Sequence, residues 1–364
     1  MIKKSDIAPI KSRNLEIELL RFIFSVGIVL CHSNAFAVKG VATLFRRGML
    51  GVEFFFIVTG YLMAFAVMRK NESFSWKNTK AFLQKKIQAF GPDFVISFII
   101  AFIVVFLYDG KYTLKALFIL AKNVIWEFSL VFMIGISSKH VNGGDWYLSA
   151  MLIALLVLYP LACKYREKFL KVIAPAISVV AFVVLYYKFG TTAGVYNRVG
   201  WFYAGLIRGF ADISLGAACL PLVQSLQKRS LTAAGRKFIT AIEALLLITI
   251  LAYFQWAAGR WPYKGGDVAA MLMITGLICL SFSGLSNWNN WFKPEVCLFL
   301  GNISLDVYLS NVYWAHMMKK LYMGKVEYVK LLLIYLLLVT VSTFVTYKLA
   351  RLWRAHIPSK GAQQ

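Results

Sequence analysis

Long apolar segments follow one another along most of this chain, and short polar loops separate them. An apolar helix of about 20 residues is long enough to cross the hydrocarbon core of a bilayer. Only helices and closed barrels satisfy their backbone hydrogen bonds within lipid. The sequence therefore predicts an all-α polytopic membrane protein with about ten transmembrane helices. We place these spans near residues 16–37, 48–68, 88–108, 146–163, 169–188, 201–223, 238–257, 267–284, 296–317 and 329–350.

One further apolar run, at residues 114–136, is not counted as a span. It carries two lysines, an asparagine and Glu127 among its apolar side chains. A charged group at the bilayer centre costs about 2.5 kcal/mol or more, so we expect this run to be interfacial or re-entrant. Residues 15–350 then form a single transmembrane domain between an N-terminal tail, 1–14, and a C-terminal tail, 351–364.

The basic residues predict how the chain is oriented in the membrane. With 114–136 outside the count, 23 lysines and arginines lie on the side of the two termini and 15 on the other side. Arg21 and Arg208 lie within spans. Because cytoplasmic loops are enriched in Lys and Arg, both termini are predicted to be cytoplasmic, in the inner (cytoplasmic) membrane of a cell. The net charge of +24 is then a topology signal, and we expect membrane lipids, but no nucleic acid, as partners.

The five cysteines give no indication of a metal site. All of them lie in apolar segments or at their ends, without the spacing of metal ligands. We interpret them as small hydrophobic side chains and expect neither a metal nor a permanently bound cofactor.

Two polar side chains interrupt the first apolar segment, Arg21 and His32. Their separation of 11 positions is about 20° more than three helical turns, so both lie on one helix face, about 16 Å apart. A cation or an imidazole in hydrocarbon is costly unless the interior of a helix bundle receives it. Both are therefore candidate site residues. The structural alternatives are a headgroup contact for Arg21 and a helix–helix hydrogen bond for His32.

Buried charges are also predicted in two later segments. Glu53 precedes three phenylalanines, and an unpaired carboxylate among them would be expensive. The carboxylate could fix the tautomer of His32, accept a proton, pair with an arginine, or lie at the interface. In the sixth span Arg208 and Asp212 are four residues apart, which allows them to pair on one helix face.

These residues resemble the motifs of a known family. An arginine, ten residues and then a histidine, as at Arg21 and His32, are similar to the signature of acyltransferase family 3, membrane proteins that O-acylate sugars and polysaccharides. The chain departs from the family pattern in three places: Lys85 and Lys86 stand where arginines are common, Met151 where a glutamate is usual, and Asn311 where a histidine is common. We assign no acid–base role to Met151 or Asn311. Further similar motifs lie at residues 51–61, 85–87, 146–149, 208–216 and 301–309.

The resemblance implies an integral-membrane O-acyltransferase, in the first place an O-acetyltransferase. Its donor would be an acyl-CoA and its acceptor a hydroxyl of a cell-surface or exopolysaccharide sugar or of a lipid-linked precursor. His32 would be the base or a transient acyl carrier, oriented by Glu53. The loop at 259–267 is a further candidate contact for the acceptor, with a plain turn as the alternative. The resemblance suggests Arg21, Lys85, Lys86 and Arg208 for the donor and Asp145, Trp146 and Ser149 for the acceptor.

Other interpretations of the same residues remain open. A transporter or flippase for a polysaccharide or a lipid-linked sugar would also carry intramembrane charges and about ten spans. A non-catalytic membrane scaffold would tolerate substitution of His32 and Glu53. Locally, Asp145 and Ser149 are also good helix caps, Trp146 suits a membrane interface, and the lysines suit anionic lipid.

Overall fold

The computed structural model of the protein describes residues 13–41, 43–70, 73–110, 113–137, 140–192, 194–257, 265–288 and 291–356. This part of the chain is almost entirely helical, which confirms the all-α polytopic prediction. The helices are α1 (Leu15–His32), α2 (Gly51–Lys70), α3 (Trp76–Asp109), α4 (Leu114–Phe128), α5 (Trp146–Lys168), α6 (Ala174–Phe189), α7 (Ala204–Gln227), α8 (Ala233–Trp256), α9 (Gly266–Ser283), α10 (Pro294–Leu309), α11 (Val312–Tyr322) and α12 (Tyr328–His356). A π-helical turn (Phe169–Ile173) joins α5 to α6, and two short strands, β1 (Arg198–Val199) and β2 (Phe202–Tyr203), pair antiparallel.

Seven helical segments of the described chain are long and apolar enough to cross a membrane, or eight if the bent pair α10 and α11 forms one span. The expected number of ten is therefore not confirmed. One reason is that α1 carries three charged residues, Glu16, Glu18 and Arg21. Another is that Gly143–Phe189 counts as one segment of 47 residues, although a straight helix of that length would measure about 70 Å. Arg166 interrupts it with a φ of 45°.

The segment that we expected to be interfacial or re-entrant forms α4 and a 3-10 turn. With 15 residues, α4 is only about 22 Å long, which is less than the roughly 30 Å of a hydrocarbon core. Only Val124 and Glu127 are buried in this helix. Its length and exposure suit a segment that does not span the membrane.

Helices α2 and α7 cross at very close range, and glycine makes this possible. A Cβ on Gly60 would lie 1.9 Å from the carbonyl oxygen of Ile213, and a Cβ on Gly216 would lie 1.9 Å from that of Ile57. Small residues let helix backbones approach to this distance. The crossing fixes how the two helices face each other and brings the buried charges of α2 and α7 together.

A second close contact joins α1 to α10. Ser25 Oγ donates to the carbonyl oxygen of Ser304 at 2.7 Å, and a Cβ on Gly301 would lie 2.0 Å from Glu18 Oε2. Because α1 and α10 are held in register along their length, the end of α1 at His32 meets the end of α10 at Leu309.

Candidate active site

His32 is the last residue of α1 and lies against the break between α10 and α11. Its Nδ1 is 2.5 Å from Oδ1 of Asn311, at the point where the two helices meet at an angle of 43°. The amide nitrogen of Asn311 donates to the carbonyl oxygens of Tyr308, at 2.5 Å, and Val307, at 3.5 Å. Within the described chain no residue forms a hydrogen bond to Nε2 of His32. Asn311 therefore holds Nδ1, whereas Nε2 has no hydrogen-bond partner there.

Glu53 does not orient His32 as the sequence had suggested. Its Oε1 lies 2.9 Å from Nη2 of Arg208, and the two side chains form a buried ion pair. Arg208 also donates to the carbonyl oxygen of Met49 at 3.2 Å, and its Nε lies 3.9 Å from Asp212. Of the roles considered for Glu53, the structure gives it the arginine pair. Sequence spacing could not reveal this partner, because the contact depends on how α2 and α7 cross.

The three residues expected to bind the acceptor are packed inside the protein. Asp145 accepts from Asn142 Nδ2 at 2.9 Å and does not cap α5 through its side chain. Trp146 lies under the guanidinium of Arg208, at 5.5 Å from the ring centroid, and is therefore not an interfacial belt residue. Ser149 Oγ accepts from the backbone N–H of Met133 at 3.3 Å. All three are buried, so these side chains support the residues that line the site and do not line it themselves.

Glu127 of α4 ties the segment before α5 to the bundle. Its two carboxylate oxygens accept from the backbone N–H groups of Val141, at 2.6 Å, and Asn142, at 3.0 Å. Burial raises the pKa of Glu127 to about 7, and the two backbone donors lower it by a smaller amount. The carboxylate thus positions Asn142, which in turn holds Asp145.

A cavity of about 720 Å³ opens at the end of the bundle that carries Arg13, which we call the Arg13 end. Its walls come from α1, α2, α3, α5, α10 and α12. Aromatic side chains line it as well, among them Phe55, Tyr147 and Tyr308. Tyr308 lies three residues before Asn311, so the cavity reaches to within one helical turn of the residue that holds His32. Its cationic lining residues are Arg13, Arg21, Lys86, Arg351 and Arg354.

The structure brings two of the four expected donor residues into this cavity. Arg21 and Lys86 line it, and Nε of Arg21 is buried without a hydrogen-bond partner in the described chain. Lys85 is exposed and lies outside it, because neighbouring residues of a helix point about 100° apart. Arg208 is buried and also lies outside.

A family model described as an acyltransferase domain matches residues 14–351, nearly the whole chain. The chain belongs to acyltransferase family 3. This confirms the resemblance seen in the motifs. No curated protein matches the chain, and no solved structure does.

The geometry gives this membrane acyltransferase two chemically distinct regions along α1. At the Arg13 end, clustered guanidinium and ammonium groups can hold phosphate or carboxylate groups. At the other end, Nε2 of His32 has no hydrogen-bond partner among the described residues, so this nitrogen can serve as a general base or nucleophile. His32 does not itself line the cavity. Met151 does, at the position where the family usually has a glutamate.

The acyltransferase also has site residues that the sequence had not suggested, in segments expected to be tails. Arg13 pairs with Glu18 at 2.5 Å, and Arg354 of α12 forms an ion pair with Asp93 of α3. We had attributed these basic residues to membrane topology. Glu18 and Asp93 could have indicated Arg13 and Arg354, because carboxylates in apolar segments require a partner.

The loop at 259–267, which we considered as a contact for the acceptor, lies mostly outside the described residues, since 258–264 are not described. Its last residue, Asp267, is buried at the start of α9. It accepts from Thr191 Oγ1 at 2.7 Å and from the Tyr253 hydroxyl at 3.1 Å. These contacts fix the end of the loop to α8 and to the segment after α6.

Proposed function

We propose that this membrane acyltransferase transfers an acyl group, in the first place acetyl, from an acyl-CoA to a sugar hydroxyl. The acceptor would be a cell-surface polysaccharide or exopolysaccharide, or its lipid-linked precursor. The protein would lie in the inner membrane of the cell with both termini in the cytoplasm. The donor would enter from the cytoplasm through the cavity at the Arg13 end.

The observation that carries this proposal is the cationic cavity. An acyl-CoA combines several phosphate charges with a long, largely uncharged arm that ends in a thioester. Five cationic side chains line the cavity together with the rings of Phe55, Tyr147 and Tyr308. Arg21 and His32 share one face of α1, about 16 Å apart, which is on the scale of an extended pantetheine arm. Phosphates held near Arg21 would therefore leave the thioester close to His32.

In the proposed reaction His32 is the general base that removes the proton of the acceptor hydroxyl. The acceptor hydroxyl oxygen attacks the thioester carbonyl carbon, and Nε2 of His32 takes the hydroxyl proton as the C–O bond forms. The C–S bond then breaks, the CoA thiolate leaves, and a proton returns it to the thiol. If His32 instead accepts the acyl group first, the same Nε2 attacks the thioester, the C–S bond breaks and the CoA thiolate leaves. The hydroxyl then attacks the acyl group, the bond between the acyl carbon and Nε2 breaks, and the hydroxyl proton balances the thiolate as the CoA thiol forms.

The decisive test measures ester groups on the surface glycan. A deletion strain would be complemented with wild type, His32→Ala or His356→Ala at matched membrane levels. His356 is a matched control because it is exposed at the end of α12 and its Nδ1 contacts the carbonyl oxygen of Leu352 within its own helix. We expect wild type and His356→Ala to restore the ester, whereas His32→Ala does not. Full restoration by His32→Ala would contradict the assignment.

Two further measurements test the donor and the transporter alternative. The purified protein in lipid nanodiscs should release CoA from acetyl-CoA over many turnovers only when a glycan acceptor is added, whereas an acyl-His32 intermediate would release at most one CoA per protein without it. A deletion that strongly reduces the amount of surface glycan, while the glycan that remains keeps its normal ester content, would instead favour a transporter or flippase.

A further inference from the structure

Asn311 occupies the place next to His32 that the sequence had suggested for Glu53. The distance of 2.5 Å between His32 Nδ1 and Asn311 Oδ1 is that of a short hydrogen bond. Which atom donates depends on which way the amide of Asn311 points, because the amide oxygen only accepts and the amide nitrogen only donates. The other contacts of the amide decide this orientation.

The amide nitrogen of Asn311 faces two backbone carbonyls that end α10. These are the carbonyls of Tyr308 and Val307, at 2.5 and 3.5 Å. The last carbonyls of a helix have no partner within the helix, so a donor there satisfies them. Turning the amide around would place its oxygen against the carbonyl oxygen of Tyr308, which is repulsive. Oδ1 must therefore face His32, and His32 must donate from Nδ1.

We propose that Asn311 is a positioning residue that holds His32 as its Nδ1–H tautomer, with Nε2 as the basic or nucleophilic nitrogen. The proposal rests on the proposed function in one respect, that His32 is the reacting group. It assigns a role to a position where the family commonly has a histidine. An amide performs that role without a charge of its own, because the carbonyls of α10 fix its orientation.

The break between α10 and α11 is what allows Asn311 to orient His32. A continuous helix would use the carbonyls of Val307 and Tyr308 for the backbone N–H groups of residues 311 and 312. The bend of 43° after Leu309 leaves these carbonyls to the side chain of Asn311. The same side chain therefore caps α10 and orients the imidazole, and an experiment must separate the two effects.

Two substitutions separate the capping of α10 from the orientation of the imidazole. Asn311→Ala removes both the cap and the acceptor for Nδ1–H. Asn311→Asp removes the cap, since a carboxylate donates nothing, but keeps an acceptor for Nδ1–H. We expect kcat to fall roughly 10- to 100-fold in Asn311→Ala, which is part of the 10²–10⁴ that a positioned base contributes, and to fall clearly less in Asn311→Asp. The KM for the acyl donor should stay within about twofold in both, because Asn311 lies outside the cavity.

The pH–rate profile supplies a second readout. A carboxylate beside the imidazole stabilises the imidazolium, so the acidic limb should move to higher pH in Asn311→Asp. Other charged or titratable groups nearby are His316 of α11, which lies within Coulombic range of His32, and beyond it His140 and Lys319. Tyr328 of α12 contacts Ser33. Every variant keeps these groups, so their effects cancel in the comparison.

The control and the contrary outcomes are definite. Asn78→Ala is the matched control, because Asn78 is partly exposed near the start of α3 and donates to the carbonyl oxygen of Ser73, and its kinetics should equal those of wild type. Equal losses of kcat in Asn311→Ala and Asn311→Asp, with an unmoved acidic limb, would reduce Asn311 to a helix cap. Wild-type kcat in Asn311→Ala would also overturn the proposal.

A spectroscopic measurement tests the tautomer without any activity. In ¹⁵N NMR of histidine-labelled protein, the protonated and the unprotonated ring nitrogens of a neutral imidazole resonate far apart, and His32→Ala identifies the signals of His32. We expect Nδ1 of His32 to be protonated and Nε2 unprotonated in wild type, and a mixture of the two tautomers in Asn311→Ala. A protonated Nε2 in wild type would overturn the proposal even if the protein is an acyltransferase. Conversely, the expected spectra in a protein that shows no transfer would contradict the proposed function alone.

Discussion

The carboxylate of Glu53 lies 2.9 Å from the guanidinium of Arg208, and both side chains are fully buried where α2 crosses α7. Desolvating two such charges costs several kcal/mol for each ion, so the pair is not in itself a source of stability. The pair instead specifies how α2 and α7 pack against each other. Either charge alone at this place would be severely penalised, which ties the relative position of the two helices to this contact. Asp212, 3.9 Å from Arg208, adds a second carboxylate to the cluster.

Breaking this pair should therefore unfold the protein before it affects chemistry. We expect Glu53→Gln to lower the free energy of unfolding by up to about 3–5 kcal/mol, with Asp212 offsetting part of the loss. The measurement is thermal unfolding in detergent by fluorescence-detected size exclusion. Glu167→Gln is the control, because Glu167 and Lys171 form a solvent-exposed pair at 3.2 Å, and such pairs contribute about 0–1 kcal/mol. Unchanged stability with lost activity in Glu53→Gln would instead return Glu53 to a catalytic role.

The sequence predicted the helical membrane architecture because hydrophobic length and loop charge are local properties. It also predicted that Arg21 and Glu53 need partners or a site, since a buried charge is costly wherever it lies. It could not predict which partner each would meet. The contacts of Glu53 with Arg208 and of His32 with Asn311 join residues 155 and 279 positions apart, and they depend on helix crossings that no local pattern encodes.

Other residues lie elsewhere than the sequence had suggested, for a different physical reason. We interpreted Lys85 and Lys86 as equivalent, although consecutive helical residues face different directions, and only Lys86 lines the cavity. Asp145 and Ser149 were expected at an acceptor site because polar residues beside aromatic rings often bind sugars. The structure instead gives them internal hydrogen-bond partners. A polar side chain in a loop does not reveal from sequence whether it faces a ligand or the backbone of a neighbour.

The glycine at the crossing of α2 and α7 should be intolerant of a single methyl group. Gly60→Ala places a Cβ 1.9 Å from the carbonyl oxygen of Ile213, so the helices must separate. We expect a loss of about 1–3 kcal/mol or more, seen as a lower unfolding temperature. Gly276→Ala is the matched control, because Gly276 lies within α9 and a Cβ there meets nothing within 4 Å. Equal unfolding temperatures for the two variants would show that α2 and α7 cross less closely than described.

Donor binding should depend on which basic side chains line the cavity, rather than on basic charge in general. We expect Arg21→Ala and Lys86→Ala to raise the KM for the acyl donor about tenfold each, which corresponds to about 1.4 kcal/mol for one lost contact with an ionic group. Lys85→Ala removes the same charge from the adjacent, exposed position and should leave KM unchanged. Steady-state kinetics in nanodiscs across a range of donor concentrations would measure this. An equal rise in KM for Lys85→Ala would indicate a diffuse surface effect instead of a site.

Glu127 should make the stability of the protein depend on pH. Its pKa is raised by burial to about 7 from a usual 4.5, so the folded state binds the proton more tightly than the unfolded state does. The contribution of Glu127 to stability is therefore greatest below about pH 4.5 and decreases as pH rises to about 7. A shift of this size corresponds to a total of about 3 kcal/mol.

In Glu127→Gln the side chain no longer titrates, so this contribution to the pH dependence disappears. Gln has only one acceptor for the N–H groups of Val141 and Asn142, which lowers stability by the same amount at every pH. We expect the unfolding temperature of wild type to decrease more steeply between pH 5 and pH 8 than that of Glu127→Gln. Glu327→Gln, at an exposed glutamate that pairs with Lys330, should keep the slope of wild type. Parallel curves for wild type and Glu127→Gln would mean that Glu127 is ionised in the folded protein over this whole range.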